Sequence, residues 1–373
     1  MEQASCNRLS SGSYHPPAVR EKGIPKGDGK TRYLGIPTVC DRIAQMVIRE
    51  ELEEILEPVF SNNSYAYRPN KSAHDALEQC RLNCQKFKWA IDMDIKGFFD
   101  NIDWGLMIRA LRHFTDTNYH IFYVKRWLKA AVMKEDGKLE ERTKGTPQGG
   151  VISPLLANLF LHVAFDKWFE KQFPELSYER YADDVVVHCH SQKQAAYVLD
   201  MIHKRMTACK LELHPEKTKI VYCKRNYKKK LPYKPEHTSF DFLGFTFRPR
   251  KVKTKGGKFI TGFRPGISNK SRNKIWATIR ELNLHRIVRA TIDQLGLVKY
   301  LNLKIQGWIN YYGKYRLSDL RNVFRVLNQR LLRWVKNKYK RFRKSTSKAR
   351  QWLRNVAKSY PYLFEHWKMG WLP

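Results

Sequence analysis

The sequence predicts an α+β chain whose last third turns all-helical. Three observations carry this. Alternating apolar runs such as KWAIDMD and RYADDVVV lie among amphipathic helical patterns up to about residue 267. From Ser268 onward helical spacing takes over, with Leu301, Ile305, Trp308 and Tyr312 at i, i+4, i+7 and i+11. The charge changes too: residues 1–223 hold 32 basic against 29 acidic side chains, a net of +3, whereas 224–373 hold 38 against 6, a net of +32.

In order along the chain, IPKGDGKTRYLGIP (24–37) reads as a hairpin with Gly-Asp-Gly at its turn. DRIAQMVIREELEEILEPVF places apolar residues at 44, 48, 52, 55, 56 and 59, which predicts an amphipathic helix ending near Pro58. Ser72 and Asp75 make a capping-box pattern that opens a second helix. KWAIDMDIKGFFDNID (88–103) is a strand carrying aspartates, followed by a helix from about Trp104. The Gly-rich loop KGTPQGG (144–150) runs into Ser153-Pro154, expected as N-cap and first helical residue. That helix extends to about Phe173 with Leu156, Leu159, Phe160 and Val163 on one face. RYADDVVVHCHS is a hairpin, followed by a helix over 192–209 and a strand at KIVYCK. FDFLGFTFRPR and the Gly-Gly hairpin KVKTKGGKFITGF complete the strands, and a long basic helix runs from Ser318 to about Arg343. The change of character places a domain boundary near 264–268.

A chain of 373 residues suffices for two or three domains with their own cores, and 42% hydrophobic content predicts that it folds. No apolar run reaches the roughly 20 residues that span a bilayer. The start, MEQASCNRLSSGSYHPP, lacks the apolar centre of a secretory signal, so a cytosolic protein is expected. Seven cysteines without a C-x-x-C pair read as free thiols. Cys80 and Cys84 are one helical turn apart with only His74 close in sequence, so zinc is not expected. His188 and His190 flank Cys189 on one face of a strand and read as strand decoration. Tyrosines and tryptophans interleave with the basic C-terminal charge, as in GWINYYGKYR and LLRWVKNKYKRFRK. This pattern favours a polyanion as partner, nucleic acid ahead of a membrane surface.

Against this background Asp94, at a strand end, and Asp183 with Asp184, at a hairpin tip, stand out. Asp is depleted from strands, and like charges oppose each other's ionisation. Taken alone, Asp183-Asp184 reads equally well as a turn. On two strands of one antiparallel sheet the three would suit divalent cations. Mg²⁺ takes one or two carboxylates plus water and phosphate oxygens. Two such ions about 4 Å apart activate a hydroxyl and stabilise a leaving pyrophosphate.

Seven segments, in order, resemble the motifs of the reverse transcriptases, most of all the maturase-type enzymes encoded in bacterial group II introns. They are IPKGDGKTRYLGIPTVCDRIAQ, YAYRPNKSAHDAL, DMDIKGFFDNID, GTPQGGVISPLLANLFLH, RYADDVVV, HPEKTKIVYC and FDFLGFTF. GWINYYGKY resembles the family's thumb, or maturase, domain, and the likeness runs from about Asn7 to Pro373.

The resemblance implies a right-hand polymerase. Fingers and palm with an antiparallel sheet would occupy 1–263, with the family's N-terminal extension nearly absent. An all-α thumb/maturase domain would occupy 264–345, and 346–373 would be a basic nucleic-acid-binding remnant without an endonuclease module. The implied activity is RNA-directed DNA polymerisation from a primer 3′-hydroxyl, using dNTPs on an RNA template. Binding of the parent group II intron RNA, splicing and retrohoming into target DNA would accompany it. The place would be the bacterial cytosol, and the nucleoid when acting on DNA.

Matched position by position, Asp94 and Asp183 are the principal metal carboxylates and Asp184 the third, for two Mg²⁺ ions with Mn²⁺ as a substitute. Phe99 matches the aromatic gate against a ribose C2′ hydroxyl, with Phe98 left for core packing. Lys26 and Arg32 match cations that hold the triphosphate, Gln148 the loop residue that positions nucleotide and template, and Lys217 a general acid for pyrophosphate. Arg68 would organise the fingers or touch the template. Arg333, Lys336, Lys340, Arg341 and Arg343 would face RNA, or else form a solvated stripe. Two competing readings are an RNA-binding splicing cofactor with an impaired polymerase, and a reverse transcriptase outside introns, in phage defence or beside a non-coding RNA.

Overall fold

The computed structural model describes residues 7–25, 29, 31–223, 235–253, 256–257, 259–297 and 300–373. The chain divides into two compact units, one running to Cys223 and including 235–238, the other Ser239–Pro373. Strands of the first unit are β1 (Val19–Pro25), β2 (Thr31–Ile36), β3 (Trp89–Asp94), β4 (Val132–Met133), β5 (Leu139–Glu140), β6 (Ser177–Tyr181), β7 (Asp184–Cys189) and β8 (Lys219–Tyr222). They form one sheet in the order β2-β1-β4-β5 and another in the order β6-β7-β3-β8. The second is antiparallel throughout. The hairpin expected from Ile24 begins earlier, at Val19, because β4 also pairs with β1 there.

The helices of this unit follow their local signals. Thr38 caps Val39–Leu56 by accepting from Asp41 N, and Ala44, Ile48, Leu52 and Leu56 form its buried stripe. Pro58 sits in a 3₁₀ turn just beyond. The capping box of Ser72 and Asp75 opens Ala73–Lys86. One cap differs from expectation. Ile152, not Ser153, takes the cap position, and Ser153 is the first helical residue. Ser153 Oγ instead accepts from Thr146 Oγ1 at 2.9 Å, so the Gly-rich loop has claimed it. The helix then buries Leu155 to Leu161 on every side and continues through a π-helical turn, His162–Asp166, to Gln172.

The π turn delivers Asp166 to a site of zero exposure, where it meets Arg180 of β6, also fully buried. Arg180 Nε and Nη2 donate to Asp166 Oδ1 and Oδ2 at 2.8 and 2.5 Å. Nη1 donates to Asn158 Oδ1 at 3.1 Å and to Ala182 O at 3.3 Å. The guanidinium therefore spans the core helix and the turn after β6.

The second unit contains β9 (Phe240–Phe242), β10 (Phe245–Lys253) and β11 (Phe259–Ile267), ordered β11-β10-β9, followed by helices. This places the division near 238, ahead of the 263/264 boundary read from the sequence. The cause is aromatic packing. Phe245 of β10 lies 5.6, 5.4 and 5.5 Å from the rings of Tyr311, Tyr312 and Tyr315, and Tyr311 Oη donates to Leu243 O at 2.9 Å. The GWINYYGKY segment thus binds the strands to the helices.

The long helix is Leu317–Lys338, shorter than expected. Tyr339 turns extended and sets its ring against Trp334, Phe342 and Trp352, so Lys340 and Arg341 lie in a 3₁₀ turn and Arg343 just beyond. Residues 346–373 pack into the second unit. Ala349, Leu353, Ala357, Phe364, Trp367 and Trp371 belong to the same core as Phe324 and Leu331.

Arg180→Met is expected to destabilise the protein by about 3–5 kcal/mol, because it leaves the Asp166 carboxylate buried without its partner. Replacing both residues, Arg180→Met with Asp166→Leu, should recover part of the loss. Urea denaturation checks both; equal losses in the single and double variants would contradict the pairing.

Candidate active site

Strand register brings two of the three aspartates face to face. β3 and β7 run antiparallel with Asp94 opposite Asp184, and side chains of such partners share a face of the sheet. Across the β6–β7 turn, Tyr181 pairs with the same Asp184. Ala182, in that turn, has φ of 57°, a left-handed conformation that costs a residue with a Cβ roughly 1–2 kcal/mol. The hydrogen bond from Arg180 to Ala182 O helps hold it and so sets where Asp183 points.

Asp183 is half-buried and Asp184 exposed. Burial raises the Asp183 carboxyl above the ordinary carboxylate range and the charge of Asp94 adds to this; its own backbone N–H, Arg32 and Lys217 act the other way. Asp94, Asp183, Arg32 and Lys217 therefore share one electrostatic locus. Lys217 Nζ lies 2.7 Å from Asp94 Oδ2. The lysine supplies the positive charge here, and the three carboxylates do not converge on one point. Among the described residues, the group of three metal-ligating side chains already within mutual reach is Cys80, Cys84 and His188. The aspartates nevertheless fit a cation chemically: oxygen donors at neighbouring strand ends, one of them pressed toward protonation by burial and a like charge.

Above the aspartates lies a second chain of contacts. Arg32 Nε, on β2, donates to Gln148 Oε1 at 2.7 Å. Gln148 Nε2 donates to both carboxylate oxygens of Asp100 at 3.2 Å. The Gly-rich loop is fixed from both sides. Gly35 N donates to Gln148 O at 2.9 Å, and a Cβ on Gly149, whose φ is +126°, would stand 2.8 Å from Gly35 O. Gly145, at φ +78°, passes so close to the next segment that a Cβ would meet Asp100 O at 2.7 Å. Only glycine permits that approach. Thr146 N then donates to Phe99 O at 2.8 Å. Phe98 is buried at 2% exposure and Phe99 only partly, their rings 5.5 Å apart. Of the two, Phe98 does the core packing and Phe99 is the one left toward the surface.

Other predicted residues fall elsewhere. Lys26 lies outside the described residues. Arg68 is turned inward, its side chain 5% exposed. Its guanidinium donates to Glu57 Oε1 and Oε2 at 2.7–3.0 Å and to the carbonyls of Ser61 and Ser64. With its donors spent on protein, it organises the local turns, and the expected template contact is not supported. Arg333, Lys340, Arg341 and Arg343 are exposed in the second unit, whereas Lys336 is half-buried and donates to Thr346 Oγ1 at 2.9 Å. Arg341 packs over the Phe342 ring at 4.7 Å. Lys340 does not continue the helical spacing of Arg333 and Lys336, because Tyr339 has ended the helix.

Two residues of the site carry no mark in the sequence. Asp100, within the DMDIKGFFDNID segment, orients Gln148. Tyr67, at φ 56° and 51% exposed, stands close enough to Asp183 for that carboxylate, after burial, to raise its phenol. Its left-handed backbone could not be anticipated, since Tyr67 is neither Gly nor Asn.

Comparison with known proteins gives the family. The family described as reverse transcriptase (RNA-dependent DNA polymerase) matches residues 24–247, and the group II intron, maturase-specific domain matches residues 272–352. The chain is 26% identical over 422 aligned residues to the group II intron-encoded protein LtrA of Lactococcus lactis subsp. cremoris, covering 89% of this chain and 67% of that protein. It is 29% identical over 252 residues to protein YkfC of Escherichia coli (strain K12), covering 57% of this chain and 66% of the other. Among solved structures it is similar to an apo telomerase from Candida tropicalis truncated from its C-terminal domain, with TM-score 0.49 and 14% identity over 66% of this chain and 58% of that one.

Proposed function

The chain belongs to the reverse transcriptases, RNA-directed DNA polymerases, in the group II intron-encoded branch with a maturase-specific domain, and from that premise we propose how its residues divide the work. The reaction is extension of a primer 3′-hydroxyl with dNTPs on an RNA template. Asp94 and Asp183, with Asp184 as the third, are the carboxylates that would hold two Mg²⁺ ions, Mn²⁺ serving as substitute. When bound, the ions activate the 3′-hydroxyl and neutralise the leaving pyrophosphate. The observation that carries this reading is the β3–β7 register. It sets Asp94 against Asp184 and leaves Asp183 in the same field as Arg32 and Lys217.

Arg32 offers a planar fork to the triphosphate, aimed by Gln148, which Asp100 in turn orients. Lys217 neutralises Asp94 before the nucleotide arrives, and its ammonium then has a proton to give to the pyrophosphate oxygen. Phe99, propped on Phe98 and tied to the Gly-rich loop through its carbonyl, closes the space where a ribose 2′-hydroxyl would sit. Fingers and palm comprise the first unit together with the strands of the second up to about residue 263, and the thumb/maturase region is the helical part that follows. The basic second unit binds the parent group II intron RNA to promote splicing, and retrohoming brings in target DNA. Among the described residues no helix is long and apolar enough to cross a membrane. Work on intron RNA and chromosomal DNA assigns the protein to the bacterial cytosol and nucleoid.

Asp183→Asn should abolish primer extension while leaving intron RNA affinity and the folded circular-dichroism spectrum unchanged; parallel loss of RNA binding would make Asp183 structural. Phe99→Val should raise ribonucleotide incorporation relative to dNTPs by at least about tenfold in single-nucleotide assays, the factor that goes with about 1.4 kcal/mol. Unchanged discrimination would move the gate to another residue. Neutralising Arg333, Lys336, Lys340, Arg341 and Arg343 together should flatten the slope of log K for RNA against log salt. Every phosphate that is no longer neutralised should take about 0.7–0.9 off that slope. An unaltered slope would remove these residues from the RNA surface.

A further inference from the structure

At the opposite end of β7 from the aspartates, the first unit buries a cluster of soft ligands that the polymerase reading does not use. Cys80 and Cys84 lie one turn apart on the Ala73–Lys86 helix, and His188 comes from β7. All three are fully buried, and their ligand atoms lie within 4.8 Å of one another. A third thiol joins them. Cys223, 1% exposed just past β8, is within hydrogen-bonding reach of the Cys84 thiol and interacts with Cys80. We propose that Cys80, Cys84, Cys223 and His188 form a closed binding site for one structural Zn²⁺ ion, which clasps the Ala73–Lys86 helix to β7 and to the end of β8.

The donor set is a Cys₃His set, the composition of structural zinc sites. Tetrahedral zinc, with Zn–S of about 2.3 Å, sets neighbouring ligand atoms about 3.8 Å apart, so Cys80, Cys84 and His188 need only small closure, while Cys223, beside Cys84, moves in to complete the set. The surroundings complete the pattern. His188 Nε2 lies 2.7 Å from Glu179 Oε2, and Glu179 Oε1 accepts from Asn83 Nδ2 at 2.5 Å. The other ring nitrogen, Nδ1, is buried without a hydrogen-bond partner. A carboxylate holding one imidazole nitrogen while the other is left for metal is the usual support of a metal-bound histidine. The sequence hides this site because the helix pair, the histidine and the third cysteine are far apart along the chain. His74, the histidine close in sequence, is not part of the group.

The competing state is metal-free. Burial pushes the Cys80 and Cys84 thiols up to about 12, which keeps them protonated. Burial works most strongly against a charged His188, but the charge of Glu179 together with the hydrogen bonds of Glu179 and Cys84 outweighs it and raises the imidazole well above its ordinary range, giving a buried ion pair. Zinc binding would release four protons to water, three from the thiols and one from Nδ1 of the charged His188, whose Nε2–H stays on Glu179.

Metal analysis of the intact protein, purified from zinc-supplemented culture and dialysed, decides between the two. The expected result is about one zinc per chain, released only when an organomercurial titrates the thiols. Protein refolded with Co²⁺ should show a thiolate-to-cobalt charge-transfer band. Cys84→Ala should lose most of the metal, whereas His190→Ala, altering the exposed histidine beside the cluster, should retain it. Zinc at background in the wild-type protein with no cobalt–thiolate band would overturn the proposal, as would metal content undiminished in Cys84→Ala. Should Cys84→Ala fail to fold, the wild-type metal content and cobalt spectrum decide alone. Primer extension enters none of these readouts, so failure here leaves the polymerase reading standing.

Discussion

Burying a charged pair away from water carries a desolvation cost of several kcal/mol per ion, which excellent geometry must offset. Arg180 and Asp166 meet that condition, since two parallel hydrogen bonds join them and Asn158 and Ala182 O take further guanidinium donors. Burial opposes ionisation of Asp166, yet the Arg180 charge and its hydrogen bonds win and hold the carboxyl below its usual range. The pair thus stays ionised at neutral pH. Because this folded-state value is depressed, its stabilisation is present above the unfolded carboxylate range and is lost as acid protonates Asp166. What the pair secures is position. It ties a π turn of the central helix to the left-handed Ala182, and through that turn to the two aspartates that follow.

The chemistry at that turn follows from a second constraint. Carboxylates placed on adjacent strand ends repel, and the structure answers locally rather than globally. Residues 1–223 carry a net charge of only +3. Relief comes from two individual cations, Lys217 on Asp94 and Arg32 near Asp183. Neither is locked in place by burial: Lys217 is 59% exposed, and Arg32 is exposed too, donating to Gln148. Both can thus change partner when a phosphate-bearing ligand brings its own charges.

How much of this could be read in advance depended on whether the signal was local. The capping box at Ser72, the YADD hairpin and the Gly-Gly hairpin join near neighbours in the chain, and the strand ending at Asp94, though its partners are distant, shows its own alternation of apolar residues. Residues whose role is set by distant partners read differently. Ser153 looked like a cap until Thr146 claimed its hydroxyl, and for Arg68 organising and template-touching roles stood side by side until Glu57 proved to take its guanidinium. The boundary expected at 263/264 moved because Phe245 packs on tyrosines some sixty residues later, a contact no periodicity reports. Asp100 and Tyr67 meet Gln148 and Asp183, residues far away along the chain, so although both lie in recognisable segments nothing local singles them out there.

The second unit shows why its large positive charge is compatible with a well-packed domain. On the Leu317–Lys338 helix, Leu320, Val323, Phe324, Leu327, Leu331, Trp334 and Val335 face inward, while Arg321, Arg325 and Arg333 are exposed. Asn328 closes the core on the far side, donating to Trp371 O and accepting from Trp367 Nε1 at 3.0 Å, with His366 Nε2 at 2.8 Å from the same amide oxygen. The C-terminal residues are thus bound into the domain by aromatic burial and a buried polar network, and the basic side chains among them stand on ordered backbone. A disordered basic tail would lose much of its electrostatic gain in ordering itself on a polyanion. A basic surface already fixed by its core keeps more of that gain, and its charges have defined spacing. Attraction to phosphate groups can then act together with a fixed geometry of charges.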